Sequence, residues 1–188
     1  MEIECAEQHH LNNEISLSVA SGLFPDEEWI NTEPNIFVAK SRMIVKYREW
    51  HKWEREMSQV RILISRGSAV YFLPEKKKEG MGKVYVDSVI DGEIVELKTV
   101  AGNRNTLGTA FKQGFKQGVA TVKEHPEIKK HSVFIRLLSD FTVESVKGKV
   151  AGELKNRPEN GSFICYFEQA RELHTWSYEE LRTLIKRG

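Results

Sequence analysis

Cysteine is scarce in this chain, with only Cys5 and Cys165 present. Two thiols so far apart form neither a disulfide framework nor a zinc motif, and they fit a reducing site of action. No apolar run approaches the roughly 18 residues of a membrane-spanning helix, so no membrane partner is expected. The acidic, His-containing start, Met1 to Asn12, lacks the profile of a secretory signal peptide, which points to a cytoplasmic site of action. Internal repeats and low-complexity segments are missing. So are the G-x-S-x-G elbow, the phosphate-cradling P-loop and the Rossmann fingerprint, which removes the commonest hydrolase and nucleotide-binding readings. An excess of one charge is missing too: 28 Lys and Arg against 27 Asp and Glu leave a net charge of +1. A nucleic-acid partner normally calls for a basic surface, so here basic groups would have to be segregated.

Local hints of segregation exist. Lys76-Lys77-Lys78 and Lys83 flank an expected loop. Lys112, Lys116 and Lys123 fall on an expected helix, with Lys129 and Lys130 just after it. The 188 residues, 40% hydrophobic and 29% charged, suit one ordinary well-packed domain with an N-terminal addition. Pro25 and Pro34 interrupt the first part, so residues 1–45 are expected to be an extension or cap and residues 46–188 the main domain. The stretch Asn35 to Lys46 suits a strand or a short helix. His9, His10, His51, His125, His131 and His174 show no metal-ligand spacing and are expected to be structural or exposed.

Periodicity predicts a helix over Tyr47 to Ser65, carried by Trp53, Met57, Val60, Leu63 and Ile64 and stopped by Gly67. Trp50 and Trp53 share a face and are expected in the core or in a patch packed on the extension. Ala69 to Leu73 is a β-rich run closed by Pro74. Ala101 to Asn105 is expected as a loop and Thr106 to about Glu124 as a helix. Each of Gly108, Gly114 and Gly118 costs that helix roughly 1 kcal/mol against Ala, which close packing on a sheet would justify. His131 to Leu138 is a strand, Phe141 to Lys155 a helix, Ser162 to Phe167 a strand, and Ser177 to Lys186 a closing helix with a Ser177–Glu180 capping box. The succession implies an α/β fold, a mixed central β-sheet flanked by helices.

The stretch from Lys83 to Val100 carries the chemistry. Val84 to Ile90 and Glu93 to Val100 read as two strands joined by Asp91-Gly92, the favoured dipeptide of a two-residue hairpin turn. Counting back from that turn pairs Ile90 with Glu93, Val89 with Ile94, Ser88 with Val95 and Asp87 with Glu96. Directly paired Cβ atoms lie about 4.5–5.5 Å apart, and like charges so placed repel. A divalent cation is the natural offset, because Mg²⁺ takes one or two carboxylates together with water and phosphate oxygens. Lys98, two residues beyond Glu96, projects from the same face. Beside a cation and a phosphate, its ammonium can orient an attacking water or stabilise developing negative charge. Tyr85, Val89 and Ile94 on one face, and Val84, Val86, Ile90, Val95 and Leu97 on the other, make the pair internal. Asp91 is explained by the turn, and Glu93 points away from Asp87 and Glu96.

Asp87, an eight-residue gap and Glu96-Leu97-Lys98 resemble the core motif of the PD-(D/E)xK nuclease superfamily. Val86 replaces the proline of that name. Two flanking segments extend the likeness: Glu56-x3-Val60-x2-Leu63-x3-Gly67 before the motif, and Phe111-Lys112-Gln113-Gly114-Phe115-Lys116-Gln117-Gly118 after it. From about Glu54 to the C-terminus, through Trp176-Ser177-Tyr178-Glu179-Glu180-Leu181, the chain resembles the C-terminal nuclease domain of contact-dependent growth inhibition toxins and related prophage and polymorphic-toxin nucleases. The first 45 or so residues lie outside the resemblance.

The resemblance implies a restriction-endonuclease-like core and metal-dependent hydrolysis of phosphodiester bonds in DNA or RNA, tRNA included. It implies Mg²⁺ as the ion, with Mn²⁺ or Zn²⁺ as substitutes. It also implies delivery into a target cell and an immunity protein that neutralises the activity. A Glu on the first helix completes the metal site in that family. Glu56 shares the inward stripe with Val60 and Leu63, whereas Glu54 lies on a polar stripe, so Glu56 joins Asp87 and Glu96 as an expected ligand. A Gln on the following helix recurs in the superfamily, and Gln117 is preferred to Gln113. Lys112 and Lys116, with Arg104 and Asn105 in the loop after the strand, are expected phosphate contacts. The gap between Gln117 and the next strand is longer than the family pattern. Two other functions fit the same scaffold: a non-catalytic nucleic-acid-binding module, and a phage structural or interaction protein that docks through residues 1–45.

Overall fold

A computed structural model of the chain describes residues 2–43, 50–74 and 85–185, with side chains from His10 onward. The expected positions Lys46, Lys76 to Lys78, Lys83 and Val84, and the side chains of Cys5 and His9, lie outside the described residues. The architecture is mixed α/β: eight strands in the order β1 to β8 with helices against them, as expected. The chain divides into two compact units, Met1–Val95 and Glu96–Gly188. That division does not coincide with the boundary expected near residue 45.

The first unit begins with helix α1 (Glu2–Leu23), followed by strands β1 (Trp29–Glu33) and β2 (Ile36–Ala39) and a short helix α2 (Lys40–Met43). Then come helix α3 (Trp50–Ile64), strand β3 (Val70–Phe72), strand β4 (Ser88–Ile90) and the start of strand β5 (Glu93–Val100). β1 and β2 form an antiparallel pair turned at Asn35, whose φ is 61°. β2 lies parallel to β3, and β3 antiparallel to β4.

Residues 1–43 are therefore more than an appendage. Asn12 Nδ2 donates to the Gly67 carbonyl at 2.9 Å, Tyr71 Oη donates to Asn13 Oδ1 at 2.7 Å, and the Gly92 amide donates to Ser16 Oγ at 3.0 Å. The stretch after Pro34, expected as a strand or a short helix, holds β2 and α2, and its apolar residues Ile36, Val38 and Ala39 are buried. Burial of that surface, at about 25 cal/mol per Å² of apolar area, is what fixes the strands. Trp50 departs from expectation. It is 58% exposed, whereas the buried residues of α3 are Glu56, Met57, Gln59, Val60 and Leu63.

The second unit holds the rest of β5, then helix α4 (Arg104–Glu124), strand β6 (His131–Leu137), helix α5 (Val143–Leu154), strands β7 (Ser162–Phe167) and β8 (Glu172–Ser177), and helix α6 (Tyr178–Ile185). β6 and β7 run parallel, and β8 returns antiparallel to β7. Phe111, Phe115, Val133, Ile135, Phe163, Tyr178 and Leu181 belong to its buried core. The Ser177–Glu180 box closes as expected: the Ser177 amide donates to Glu180 Oε2 at 2.6 Å, and the Glu180 amide donates to Ser177 Oγ at 3.1 Å. Cys165 is buried on β7, and burial pushes its thiol pKa up, which keeps it unreactive. No described helix is long and apolar enough to cross a membrane.

Candidate active site

The hairpin turn forms as counted. Ile90 pairs with Glu93, Val89 with Ile94 and Ser88 with Val95. Asp91 and Gly92 both take positive φ, 50° and 83°, the backbone that a primed two-residue turn requires. Asp91 is a turn residue for a second reason. Its carboxylate accepts from Ser68 Oγ at 2.7 Å and from the Ala69 amide at 2.9 Å, tying the turn to the start of β3.

β4 is shorter than expected. It starts at Ser88, and Val86 and Asp87 form a bend before it. The Asp87 carbonyl accepts from the Leu73 amide at 3.0 Å, in continuation of the β3–β4 register, and from Arg42 Nη1 at 2.9 Å, so two donors hold the backbone of Asp87.

Arg42 organises the first unit's polar cluster. It is 3% exposed. Nη1 also donates to the Leu73 carbonyl at 2.9 Å, Nη2 donates to Glu56 Oε2 at 2.7 Å, and Nη2 lies 3.9 Å from Asp87 Oδ1. The guanidinium carbon sits 5.0 Å above the Phe72 ring and 5.7 Å from that of Trp53. Glu56 is buried as the inward stripe predicts, and Glu54 is exposed. The second oxygen of Glu56 lies 3.4 Å from Lys52 Nζ. Burial holds the Glu56 carboxyl above its ordinary pKa. Arg42 pulls it down, Asp87 pushes it up, and Lys52 pulls it down. Arg42 escaped the sequence reading because Lys40-Ser41-Arg42 is a polar triplet with no periodic signal.

In the second unit Glu96 is 1% exposed and Lys98 is partly buried. The Lys98 ammonium donates to Glu96 Oε1 in a close ion pair. Helix α4 covers this strand. A Cβ built on Gly114 would lie 3.2 Å from Glu96 Cγ and 3.0 Å from a Val133 methyl. The glycine thus lets the helix backbone approach the carboxylate stem. Gln117, one turn on, is half-buried, and its carbonyl accepts from Thr121 Oγ1 at 3.0 Å; Gln113 is exposed.

Arg104 and Asn105 are not loop residues as expected. They open α4, because Asn103 caps it: Asn103 Oδ1 accepts from the amides of Asn105 and Thr106. Both remain exposed. Lys112 pairs with Glu153 at 3.0 Å, while Lys116 is exposed. Among the described residues no three His, Cys, Asp or Glu side chains are grouped so as to hold a metal ion by themselves.

No protein-family model matches the chain, and no curated protein matches it. Among solved structures, it is similar to a CdiA-CT/CdiI toxin and immunity complex from Burkholderia pseudomallei, at 15% identity and a TM-score of 0.47, over 71% of this chain and 89% of that one. A likeness of that size leaves the functional case to the residues themselves.

Proposed function

We propose that this chain is a metal-dependent nuclease of the PD-(D/E)xK type that hydrolyses phosphodiester bonds in DNA or RNA. The observation that carries the reading is the Glu96 carboxylate, 1% exposed on β5 and answered by Lys98 two residues on. Taking a carboxylate and an ammonium out of water costs several kcal/mol per ion before their attraction is counted, so a core has little reason to keep such a pair for stability alone. The turn count offers Asp87 as the second acid, since continuing it one step beyond the observed Ser88–Val95 pair reaches Asp87 and Glu96.

The donor chemistry fits an oxygen-ligated divalent ion, Mg²⁺ first and Mn²⁺ or Zn²⁺ as substitutes, with Asp87 and Glu96 as its carboxylates. Such an ion, when bound, supplies Lewis-acid polarisation of the phosphate and activation of water. The chain's own groups do the rest. Lys98 holds positive charge where the phosphate becomes more negative, and Gln117 offers an amide to orient water or substrate. Lys116, Arg104 and Asn105 are exposed and suit backbone phosphates, and Lys112 joins them only by leaving Glu153. Glu56 fits less well as a direct ligand, because Arg42 and Lys52 engage its two oxygens. It acts instead by holding Arg42, which fixes the Asp87 carbonyl. A toxin-type or mobile-element role, with an immunity protein as partner, follows from the motif resemblance.

The test is incubation of the purified chain with supercoiled DNA and with total tRNA, each with Mg²⁺, Mn²⁺, Zn²⁺ or EDTA. Ion-dependent cutting of either substrate is expected. Binding without cutting in all three ions would favour the non-catalytic module. Neither binding nor cutting, with a protein partner lost on deleting residues 1–45, would favour the interaction protein.

A further inference from the structure

The second unit contains a hollow of about 230 Å³ lined by Phe115, Lys116, Val119, Ala120, Lys123, Arg157 and Glu159, a set without Glu96 or Lys98. Its cations differ from their neighbours. Lys112 and Lys149 both reach Glu153, at 3.0 and 2.8 Å. Lys116 and Lys123 are exposed, and among the described residues no carboxylate answers either.

Arg157 is set in place from three sides. Its Nε donates to the Glu153 carbonyl at 2.8 Å, its guanidinium carbon lies 4.8 Å from the centre of the Phe115 ring, and its own carbonyl accepts from Arg182 at 2.9 Å. Its terminal nitrogens have no acceptor among the described residues. Glu159 places one carboxylate in the lining, so three cations and one anion leave an excess of two positive charges on a chain whose net charge is only +1.

We infer that this hollow is a phosphate subsite that guides a nucleic-acid strand, with Lys116, Lys123 and Arg157 as its contacts. The inference rests on the nuclease reading for its biological sense and on the uncompensated cations for its chemistry. A held guanidinium offers a planar fork that matches phosphate oxygens, and less side-chain freedom is lost when it binds. Lys116 and Lys123 are seven residues apart on one helix, about 10.5 Å at 1.5 Å per residue. That span suits two separate phosphates of one strand better than a single free anion. An anionic membrane suits it less, since no large exposed hydrophobic side chain lines the hollow.

The experiment measures binding of the full chain, in EDTA, to fluorescein-labelled single-stranded RNA, single-stranded DNA and duplex DNA over a salt series. The variants are Lys116→Glu/Lys123→Glu and Arg157→Met, which keeps apolar cover over Phe115. Lys130→Glu, exposed and outside the hollow, is the single-site charge-reversal control. Far-UV circular dichroism checks folding of each. The double lysine variant is expected to bind at least about tenfold more weakly at 0.15 M salt. Its log–log salt slope should be shallower by about 1.4, two contacts at about 0.7 each for a single strand. Arg157→Met should flatten the slope by about half as much. Loss no greater than that of Lys130→Glu overturns the subsite. So does tighter capture by phosphatidylserine vesicles or by polyglutamate than by any nucleic acid. The two readings separate cleanly: cutting with unaltered binding in the variants removes the subsite alone, and charge-specific binding loss without any cutting by the wild type removes the nuclease alone.

Discussion

Glu96 and Glu56 are both buried carboxylates, and each is answered by a cation of its own: Lys98 for the first, Arg42 for the second. Removing one member of such a pair leaves an uncompensated charge. Lys98→Ala is therefore expected to cost about 3 kcal/mol in urea unfolding as well as to abolish cutting. Asp87→Asn, nearly isosteric and 16% exposed, should abolish cutting with little change in stability. Glu56 gives a pH signature. Its folded pKa is raised above the ordinary 4.5, so the stability it contributes is fully present below that value and is lost as pH rises through the raised one. Glu56→Gln should flatten stability above pH 4.5.

His131 has the opposite sign. Burial lowers its pKa from 6.5 to about 4, so its contribution is present above pH 6.5 and lost on acidification towards pH 4, amounting to about 3 kcal/mol. Both ring nitrogens are buried without a partner among the described residues, between Phe115 and Tyr178. His131→Leu should thus be neutral or stabilising at pH 7 and should remove the acid loss. At this scale Glu96, Lys98 and Asp91 were legible because strand period and turn chemistry are local. Arg42 and Arg157 were not, since what buries or holds each of them is distant in sequence.

At the scale of elements, helix α4 shows why three glycines persist in one helix. A Cβ at Gly118 would lie 2.3 Å from His131 Nδ1, and one at Gly108 would meet the end of Lys149 at 2.2 Å. Gly118→Ala should therefore destabilise the chain by about 1–2 kcal/mol, overpacking of about 1–3 kcal/mol outweighing a helix gain of just under 1. Gly114→Ala should move the Glu96 stem and slow cutting more than it lowers the melting temperature. The expected cause of the glycines, a helix close on a sheet, holds for Gly114 and Gly118; Gly108 instead faces a neighbouring helix.

The hairpin, α3, β6, β7 and α6 were legible from periodicity and caps. β8 was not, because it begins after Arg171 at a φ of 56°, a turn made without the usual glycine. α1 and β1 were missed because Pro25 and Pro34 fall between elements and read as interruptions, whereas β2 and α2 fall in the stretch Asn35 to Lys46 expected to hold a strand or a short helix. The pairing of β2 with β3 is a parallel crossover that no local pattern announces.

For the whole chain, a net charge of +1 neither supports nor opposes a nucleic-acid partner, and the distribution of charge decides the matter. Cations near the proposed site are mostly spoken for: Lys98 by Glu96, Lys112 and Lys149 by Glu153, Arg42 by Glu56. Affinity must then come from the smaller set left unanswered, which makes salt dependence modest and catalysis dependent on a few named groups. The fold class was legible from the alternation of elements, and the candidate acids from one hairpin. The most direct test of the central claim is the single-turnover rate of tRNA and plasmid cutting by the wild type, Asp87→Asn and Glu96→Gln, in Mg²⁺, in Mn²⁺ and in EDTA. The account predicts cutting by the wild type with either ion, none in EDTA, and rates at least about 100-fold lower in both variants. Cutting that persists in EDTA, or undiminished in both variants, would contradict it.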